Sequence, residues 1–424
     1  MHQAQADHLA PSASVAVRQP TWAVLALLPL AAGYFLSYLF RNVNGVMAPE
    51  IMRDLGVGAD GLGLLTSVYF LTFAVMQLPV GVLLDRYGPR RVQFALLMCA
   101  AAGSALCASG TGFLALLVGR ALIGLGTAGG LVAGLKASAE WFPRELLSRV
   151  NGLFIMCGGL GALAATWPAE FAIRLVEWRG LAALLAVLVA AAAIAVRLGV
   201  PDRARRIETQ GPAISLRDVV RDKQFQRFAP LSASCFGTVL AVQGLWAGPW
   251  LADVDSLSRS EVATDLAGMA AVLIVAAPCW GLLVERLRRW VRLANAAALA
   301  ACAMIASELF VVMHGSLPAE LPWCLFAVFG GITVLSYSVM AEFFPPAAIG
   351  RANGALNVLH IGFSFLIQFG FGQIVAHWTR IDGHYPKVAY EAGLLLPAVI
   401  QIVALTWFAW PRRALEDTAC AAET

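Results

Sequence analysis

Long apolar runs constrain this chain more than any other feature. Twelve runs of about 20 residues or more follow one another between short polar clusters, and about 20 apolar residues are enough to cross the hydrocarbon core of a bilayer. The runs lack the period of two that strands of a membrane barrel would have. Charged residues make up only 13% of the 424 residues, too few to cover a soluble fold of this size. The pattern predicts an all-α polytopic membrane protein and excludes soluble, secreted and disordered classes.

The polar clusters set approximate limits to twelve predicted spans, six on each side of one long charged stretch. The spans cover residues 22–48, 60–84, 91–110, 112–137, 148–174, 180–199, 229–252, 262–284, 291–314, 319–343, 350–376 and 389–411. The predicted organisation is a cytoplasmic tail at 1–20, a six-span bundle at 21–200, a cytoplasmic linker at 201–228, a second six-span bundle at 229–411 and a cytoplasmic tail at 412–424.

Two sequence motifs occur twice. The segment 81–91 (GVLLDRYGPRR) after span 2 recurs 200 residues later as 281–289 (GLLVERLRR) after span 8. The segment 140–152 (EWFPRELLSRVNG) recurs at an offset of 202 as 342–354 (EFFPPAAIGRANG). Two matched pairs at nearly one offset indicate two parallel six-helix bundles, an arrangement found in transporters.

The basic residues predict the orientation in the membrane. With the repeated motifs in the cytoplasm, most of the 30 Lys and Arg residues lie on that side. The basic residues left outside are Arg53, Arg174, Arg179, Arg259, Arg380 and Lys387. Cytoplasmic loops are enriched in Lys and Arg, so we expect both termini in the cytoplasm and a place in a bacterial inner membrane.

The loop motifs resemble those of a known family. Segment 81–91 resembles the signature between helices 2 and 3 of the major facilitator superfamily, and 281–289 resembles the degenerate copy between helices 8 and 9. Arg120, followed by Gly124 and Gly126, resembles the helix 4 signature. The resemblance covers essentially the whole chain. It implies a secondary transporter whose two pseudo-symmetric bundles rock around a central cavity.

The repeated acids are expected to close the cytoplasmic side. Asp85 would meet the free amide donors at the start of span 11, near residues 350–351. Its repeat counterpart Glu285 would face the start of span 5, near residues 148–149. Such contacts cross between the bundles, so they would form only when the cytoplasmic side is closed.

Two further acids accompany the loop arginines. Glu140 and Glu342 are placed to neutralise Arg86, Arg90, Arg149 and their copies. The alternative is that all of these are solvated loop charges that serve only membrane topology. The predicted gating residues are Gly81, Asp85, Arg86, Gly88, Arg90, Glu140, Arg149, Gly281, Glu285, Arg286, Glu342 and Arg351.

Arg41 stands inside span 1, where a charged side chain is costly enough to indicate a functional site. Tyr34, Tyr38 and Arg41 follow an i, i+4, i+7 spacing and therefore share one helix face. Two phenols and a guanidinium make a suitable anion site, because Arg offers a fixed fork to a carboxylate or phosphate. Segment 38–44 (YLFRNVN) resembles helix 1 of the organophosphate:phosphate and anion:cation branches of the family. The alternative is that Arg41 extends to the membrane interface or forms a structural pair.

The second bundle has no matching arginine. Phosphate antiporters of the resembling family carry a second arginine on helix 7, and the offset of 202 places Gln243 there, close to Trp246. One positive charge favours a monoanion or a zwitterion over a phosphate ester. Arg120 could line the cavity or pair with an outer carboxylate. The predicted substrate-binding residues are Arg41, Tyr34, Tyr38, Gln243, Trp246 and Arg120.

Proton coupling needs a group that titrates in the working pH range. His360 is the only histidine near the centre of a candidate functional span, and its counterpart in the repeat is Gly158. Glu308 in span 9 is the rival. Either residue could instead be a hydrogen-bonded packing residue.

The remaining sequence gives no sign of enzymatic chemistry, since it contains no nucleophile elbow, phosphate-binding loop or metal-ligand spacing. We expect no cofactor, no metal and no nucleic acid, and a monomer in the lipid bilayer. The predicted function is symport of a small carboxylate-type organic anion with protons by alternating access. The alternatives are an exporter of amphipathic compounds or siderophores, and a membrane sensor that binds a ligand without moving it.

Overall fold

The computed structural model describes residues 21–201, 215–287, 290–313 and 320–410, and these are almost entirely helical. The first half contains α1 (Thr21–Asn42), α2 (Asn44–Leu55), α3 (Ala59–Ser109), α4 (Phe113–Thr127), α5 (Gly130–Trp141), α6 (Arg144–Ala164) and α7 (Trp167–Gly199). The second half contains α8 (Leu216–Arg221), α9 (Lys223–Ala241), a π-helical turn (Val242–Trp246), α10 (Ala247–Asp253), α11 (Arg259–Leu287), α12 (Leu293–Met313), α13 (Glu320–Gly330), a 3-10 turn (Gly331–Val334), α14 (Leu335–Phe343), α15 (Pro346–Val375) and α16 (Lys387–Ala409).

Some helices are joined or broken where the sequence predicts otherwise. Spans 2 and 3 form one element, α3, which changes direction at Gly88, where φ is 77°. This left-handed conformation favours glycine because it has no Cβ. Span 5 is interrupted instead, since α6 ends at Ala164 and α7 starts at Trp167, beside a proline that suits a helix start. Span 1 is broken at Val43, where the preceding side chain of Asn42 donates a local hydrogen bond to the Tyr38 carbonyl oxygen.

Ten helical segments of the described residues are long and apolar enough to cross a membrane, and Arg149–Ala164 is a shorter apolar helix. These ten helices and the shorter one are compatible with the prediction of twelve spans, but they do not account for all twelve. Helix α9 begins at Lys223, inside the predicted linker, and is preceded by the short helix α8. Residues 202–214 of that linker and the predicted tails 1–20 and 412–424 lie outside the described residues.

The two ends of the molecule differ in how closely the halves approach. We call the end that carries segments 81–91 and 342–354 the motif end, and the opposite end, with residues 56–58, the distal end. At the distal end a Cβ added to Gly248 would lie 2.7 Å from the Gly45 carbonyl oxygen. One added to Gly372 would lie 2.7 Å from the Ala59 carbonyl oxygen. The backbones of the two halves therefore approach each other closely at two places at this end.

Polar contacts reinforce the closed distal end. Glu50 Oε1 on α2 accepts from Arg259 Nη1 on α11 at 2.9 Å. Arg380 Nη2 donates to the carbonyl oxygen of Val57 at 2.8 Å. At the motif end, by contrast, a Cβ added to any of several glycines would meet nothing within 4 Å; these are Gly81, Gly152, Gly350 and Gly354. At the distal end the two halves pack against each other, whereas these four glycines of the motif end face open space.

Candidate functional site

Arg41 lies near the end of α1 and packs against two aromatic rings. Its Cζ is 4.5 Å from the ring centroid of Tyr38 and 4.8 Å from that of Phe73 on α3. The side chain is 5% exposed, and its Nε has no hydrogen-bond partner. The aromatic rings stabilise the charge of the guanidinium. Tyr69 hydrogen-bonds the same guanidinium, and the N–H group at Nε is left without a partner. This N–H group is available to an anion.

The two predicted phenols stand beside Arg41, on the helix face that their spacing indicates. The rings of Tyr34 and Tyr38 meet edge to face with centroids 5.1 Å apart. Tyr34 also stacks on Phe154 of α6 at 5.1 Å. The two rings fit against α6 because the residue that faces them is Gly158, which has no side chain. A Cβ added to Gly158 would lie 2.7 Å from Tyr34 Cε1.

A bridge between the halves lies close by, and the sequence analysis missed it. Asn357 Nδ2 on α15 donates to Gln77 Oε1 on α3 at 3.0 Å. Tyr337 Oη on α14 donates to Asn357 Oδ1 at 3.4 Å, and Gln77 Nε2 donates to the Ala128 carbonyl oxygen at 3.1 Å. The available signal was an amide in each of two apolar spans, with Gln77 alone in span 2 and Asn357 one of four amides in span 11. Nothing in the sequence pairs Gln77 with Asn357.

His360 lies in the second half on α15, one turn from Asn357. It is fully buried, and its ring stacks on Phe236 with centroids 4.4 Å apart. Its Nε2 is 2.8 Å from Ser232 Oγ, which in turn donates to Ser336 Oγ at 2.6 Å. When Ser232 donates its hydroxyl proton to Ser336, Nε2 is the ring nitrogen that carries the proton and donates to Ser232. The other nitrogen, Nδ1, is buried without a partner.

The two predicted residues of span 7 lie in different surroundings. Gln243 is half-buried on the π-helical turn, opposite the end of α1. Trp246 is buried and stacks on Phe371 at 4.5 Å. Its ring also contacts the distal glycines, with Cζ2 3.3 Å from the Cβ position of Gly372. The structure therefore places Trp246 in the distal packing, whereas the sequence analysis expected it to bind substrate.

Arg120 lines a cavity inside the first half. This cavity of about 30 Å³ lies between helices of one bundle and includes Asn44 and Ser104 in its lining. The guanidinium carbon is 5.7 Å from the ring centroid of Tyr69. No ion pair of the described residues involves Arg120. The expectation of an outer carboxylate partner is therefore not met, and the structure does not group Arg120 with Tyr34 and Tyr38.

Glu308 lies inside the second half. It is 1% exposed on α12, and its Oε1 accepts from Gln401 Nε2 on α16 at 2.7 Å. The same amide nitrogen donates to Thr238 Oγ1 on α9 at 2.8 Å. These bonds tie three helices of one bundle together, as expected for the packing alternative, and place Glu308 apart from the Arg41 rings.

The gating residues at the motif end differ in part from expectation. Asp85 pairs with Lys136 Nζ of its own half at 2.5 Å, rather than with the start of α15. Arg90 Nε donates to the Arg197 carbonyl oxygen at 2.7 Å, and both Glu140 oxygens are buried without a hydrogen-bond partner. Glu140 therefore makes no hydrogen bond to Arg86 or Arg90, and the cation that acts on it is Lys136, the partner of Asp85. The surroundings of Gly281 and the side chains of Glu285 and Ser148 lie outside the part of the chain that the structure describes. Arg149, Arg286, Glu342 and Arg351 are exposed.

The comparisons with known proteins agree with this architecture. The family model of the Major Facilitator Superfamily matches residues 30–368. The hexuronate transporter of Escherichia coli (strain K12) is 33% identical over 160 residues, which is 37% of this chain and 36% of that protein. The galacturonate transporter of Dickeya chrysanthemi is 31% identical over 161 residues, 37% of this chain and 45% of that protein. The matches thus span less than half of these relatives' lengths.

Solved structures share the whole fold. A bacterial homolog of the human lysosomal transporter Spinster, in an inward-facing and unoccupied conformation, superposes with a TM-score of 0.74 at 18% identity. The superposition covers 92% of this chain and 97% of that one. At this identity the likeness concerns the fold alone, and it confirms the prediction of an all-α fold of the major facilitator type.

Proposed function

This chain belongs to the Major Facilitator Superfamily, and we propose that it carries a small organic anion with one carboxylate across a bacterial inner membrane. It is an integral membrane protein and a transporter rather than an enzyme. The proposed mechanism is alternating access, driven by protons moving in the same direction as the anion.

The Arg41 site carries this proposal. A guanidinium within the membrane is costly and therefore marks a functional site. The Nε of Arg41 has no partner, and an arginine can bind a carboxylate through two parallel hydrogen bonds. The counterpart position in the second half is the neutral Gln243, so a single charge is available and a monoanion is favoured over a phosphate ester. The names of the relatives, hexuronate and galacturonate transporters, support a carboxylate.

The difference between the two ends supports alternating access. If the motif end is cytoplasmic, as the basic residues indicate, the packed distal end closes the site from outside. Opening that end would require the Glu50–Arg259 pair and the glycine contacts to separate. Closing the motif end would bring Asp85 to the start of α15, where helix N-terminal amides attract a carboxylate. The gating role of the loop motifs belongs to this proposal.

His360 is the proposed proton-coupling group, with Glu308 as the alternative. The unpartnered Nδ1 of His360 can accept a proton without breaking the bond to Ser232. It stands in the wall of the second half, three residues from Asn357. Glu308 is held by Gln401 within one bundle, so rocking of the bundles would change its surroundings less.

Binding measurements test the carboxylate proposal. Purified protein is screened by thermal shift against carboxylates, phosphates, amino acids and nitrate, because a ligand that binds only the folded state raises the melting temperature. We expect monocarboxylates to bind. Arg41→Gln should weaken their binding by about 1.5–3 kcal/mol, the usual value for a hydrogen bond to a charged group. Arg41→Lys should weaken it partially, since the charge stays but the fork is lost.

The matched control is Arg174→Gln, which removes a half-exposed arginine paired with Glu170 at the distal end. It should leave carboxylate binding unchanged. If Arg41→Gln binds every anion as the wild type does, the anion site is wrong and an exporter of amphipathic compounds becomes the better account.

A further inference from the structure

The loop between α15 and α16, residues 376–386, lies at the distal end, and we call it the distal strap. Its tip is a two-residue hairpin. The Ile381 amide donates to the His384 carbonyl oxygen at 2.9 Å, and the His384 amide donates to the Ile381 carbonyl oxygen at 3.0 Å. The two residues between them, Asp382 and Gly383, have positive φ angles of 51° and 87°. Asp-Gly is a pair that favours such a turn, so the shape of the tip is encoded locally.

The two arms of this hairpin bind the first half where α3 begins. On one arm Arg380 Nη2 donates to the carbonyl oxygen of Val57 at 2.8 Å. On the other arm the hydroxyl oxygen of Tyr385 accepts from the amide of Ala59 at 2.9 Å. The arms also contact each other, because the guanidinium carbon of Arg380 lies 4.9 Å from the centroid of the Tyr385 ring. Two hydrogen bonds from one loop therefore join the second half to the first.

The Tyr385 hydroxyl takes the place of a helix cap. The first amides of a helix have no partner within the helix, and a side chain at the N-cap position usually accepts from one of them. The N-cap residue of α3 is Gly58, which has no side chain for this bond. The Ala59 amide is satisfied instead by a phenol from the other half. Separation of the halves at this end would remove that partner.

Asp253, the last residue of α10, anchors the strap within the second half. Its Oδ1 lies 2.7 Å from His384 Nδ1, which donates because an ionised carboxylate can only accept. Its Oδ2 accepts from the Tyr385 amide at 3.0 Å and from Tyr390 Oη on α16 at 2.6 Å. Tyr385 is buried, although the four residues before it are exposed. The strap is thus fixed to its own half at the residue whose side chain reaches the other half.

We propose that the distal strap is a latch that holds the distal end closed. Asp253 fixes the strap, and Arg380 and Tyr385 bind the start of α3. The inference rests on the alternating access of the proposed function, because a latch matters only if the distal end opens. Opening breaks both bonds to the first half, whereas the bonds to Asp253 stay within one half and can persist. The strength of the latch therefore sets how often the distal end opens.

The reactivity of a cysteine placed at the distal contact tests the inference. Ala263 of α11 is fully buried and lines the cleft between α2 and α11, so Ala263→Cys should react with a water-soluble thiol reagent only when the distal end opens. Full-length protein without this substitution gives the background from the native cysteines. Tyr385→Phe keeps the ring but removes the bond to Ala59. It should raise the labelling rate about fivefold, which corresponds to one net hydrogen bond.

Two further variants, each made together with Ala263→Cys, separate a latch from a single contact. The bonds that the structure describes for Asp253 lie within the second half. A rise of about fivefold in Asp253→Asn would therefore act through the strap. Tyr390→Phe is the matched control, because it removes a phenol from the same carboxylate but leaves both bonds to the first half, and it should keep the rate of Ala263→Cys alone. That unchanged rate in either Tyr385→Phe or Asp253→Asn would overturn the latch.

Glu50→Gln separates this inference from the proposed function, because it removes the charge of the Glu50–Arg259 pair without touching the strap. Faster labelling in Glu50→Gln, with unchanged rates in the strap variants, would overturn the latch and leave alternating access standing. If Ala263→Cys reacts no faster than the background in any variant, the distal end does not open. Alternating access would then fail, and the latch would fail with it.

Discussion

The two halves repeat one backbone but place different chemistry at equivalent positions. At the offset of 202 residues, Tyr34 and Gly158 of the first half correspond to Phe236 and His360 of the second. In the first half a phenol packs against a bare glycine, with 2.7 Å between Tyr34 Cε1 and the Cβ position. In the second half a phenyl ring stacks on an imidazole at 4.4 Å. Each helix pair thus keeps its contact, while only the second half carries an imidazole there.

The same contrast holds for charge. Arg41 of the first half, between Tyr38 and Phe73, corresponds to Gln243 of the second. We therefore propose different roles for the two halves. The first half binds the carboxylate, and the second half supplies neutral hydrogen-bonding groups and the nitrogen that accepts the proton. The predictions below alter one side of this comparison at a time.

The largest expected effect comes from filling the glycine in the first half. Gly158→Ala places a Cβ 2.7 Å from Tyr34 and 3.0 Å from Tyr38, so the rings beside Arg41 must move. Overpacking of this kind costs about 1–3 kcal/mol of stability. Gly152→Ala on the same helix is the control, because its Cβ would meet nothing within 4 Å. Thermal unfolding of both variants compares the two positions, and equal melting temperatures would refute the tight fit.

The next effect comes from making the halves alike in charge. Gln243→Arg adds a second positive group opposite the end of α1 and should shift preference from monoanions toward dianions by about tenfold, or ~1.4 kcal/mol. Affinities for matched ligands, such as galacturonate and its dicarboxylate galactarate, report the shift. A variant that keeps the wild-type preference would mean that Gln243 does not face the ligand.

The loop acids give a smaller expected effect. Asp85→Asn removes an exposed pair with Lys136 in the present conformation, worth about 0–1 kcal/mol. When the motif end is closed, the same substitution would remove the interaction of the Asp85 carboxylate with the N-terminus of α15, which contributes about 0.3–2 kcal/mol. The second loss is larger, so the variant should favour the open motif end. Glu285→Gln should act in the same direction more weakly, because its motif lacks the second glycine. Cysteine labelling at both ends measures the balance, and labelling like that of the wild type would contradict the gating role.

The smallest effect on affinity is expected at His360. His360→Gln keeps a group able to bond Ser232 but removes the ring nitrogen that could take a proton, so binding at one pH should change little. Transport driven by a proton gradient should fall toward the level seen without one. Concentrative transport with the wild-type pH dependence would make His360 a packing residue and Glu308 the better candidate.

The sequence predicted the features that depend on the spacing of residues close together in the chain. The fold followed from span lengths and repeated motifs, and the shared face of Tyr34, Tyr38 and Arg41 followed from helical spacing alone. The turn at Glu177, where φ is 60°, falls in the predicted gap between spans 5 and 6. The break at Val43 was missed because predicted span 1 continues to residue 48.

Contacts between segments that are far apart in the chain could not be predicted from the sequence. The Gln77–Asn357 bond joins residues 280 positions apart, so it depends on how the two halves dock. Trp246 was assigned to the substrate site from its neighbour Gln243, but the π-helical turn directs its ring into the distal packing. The partner of Asp85 depends on which end is open, and a sequence specifies both states equally.

Uptake into proteoliposomes tests the central claim most directly, because a sensor would bind the anion without moving it. Wild-type protein and Arg41→Gln are reconstituted in parallel, and entry of labelled galacturonate is followed with and without a proton gradient. The account predicts that the wild type accumulates galacturonate in response to the gradient and that Arg41→Gln does not. Binding by the wild type without any flux, or equal uptake by both proteins, would contradict it.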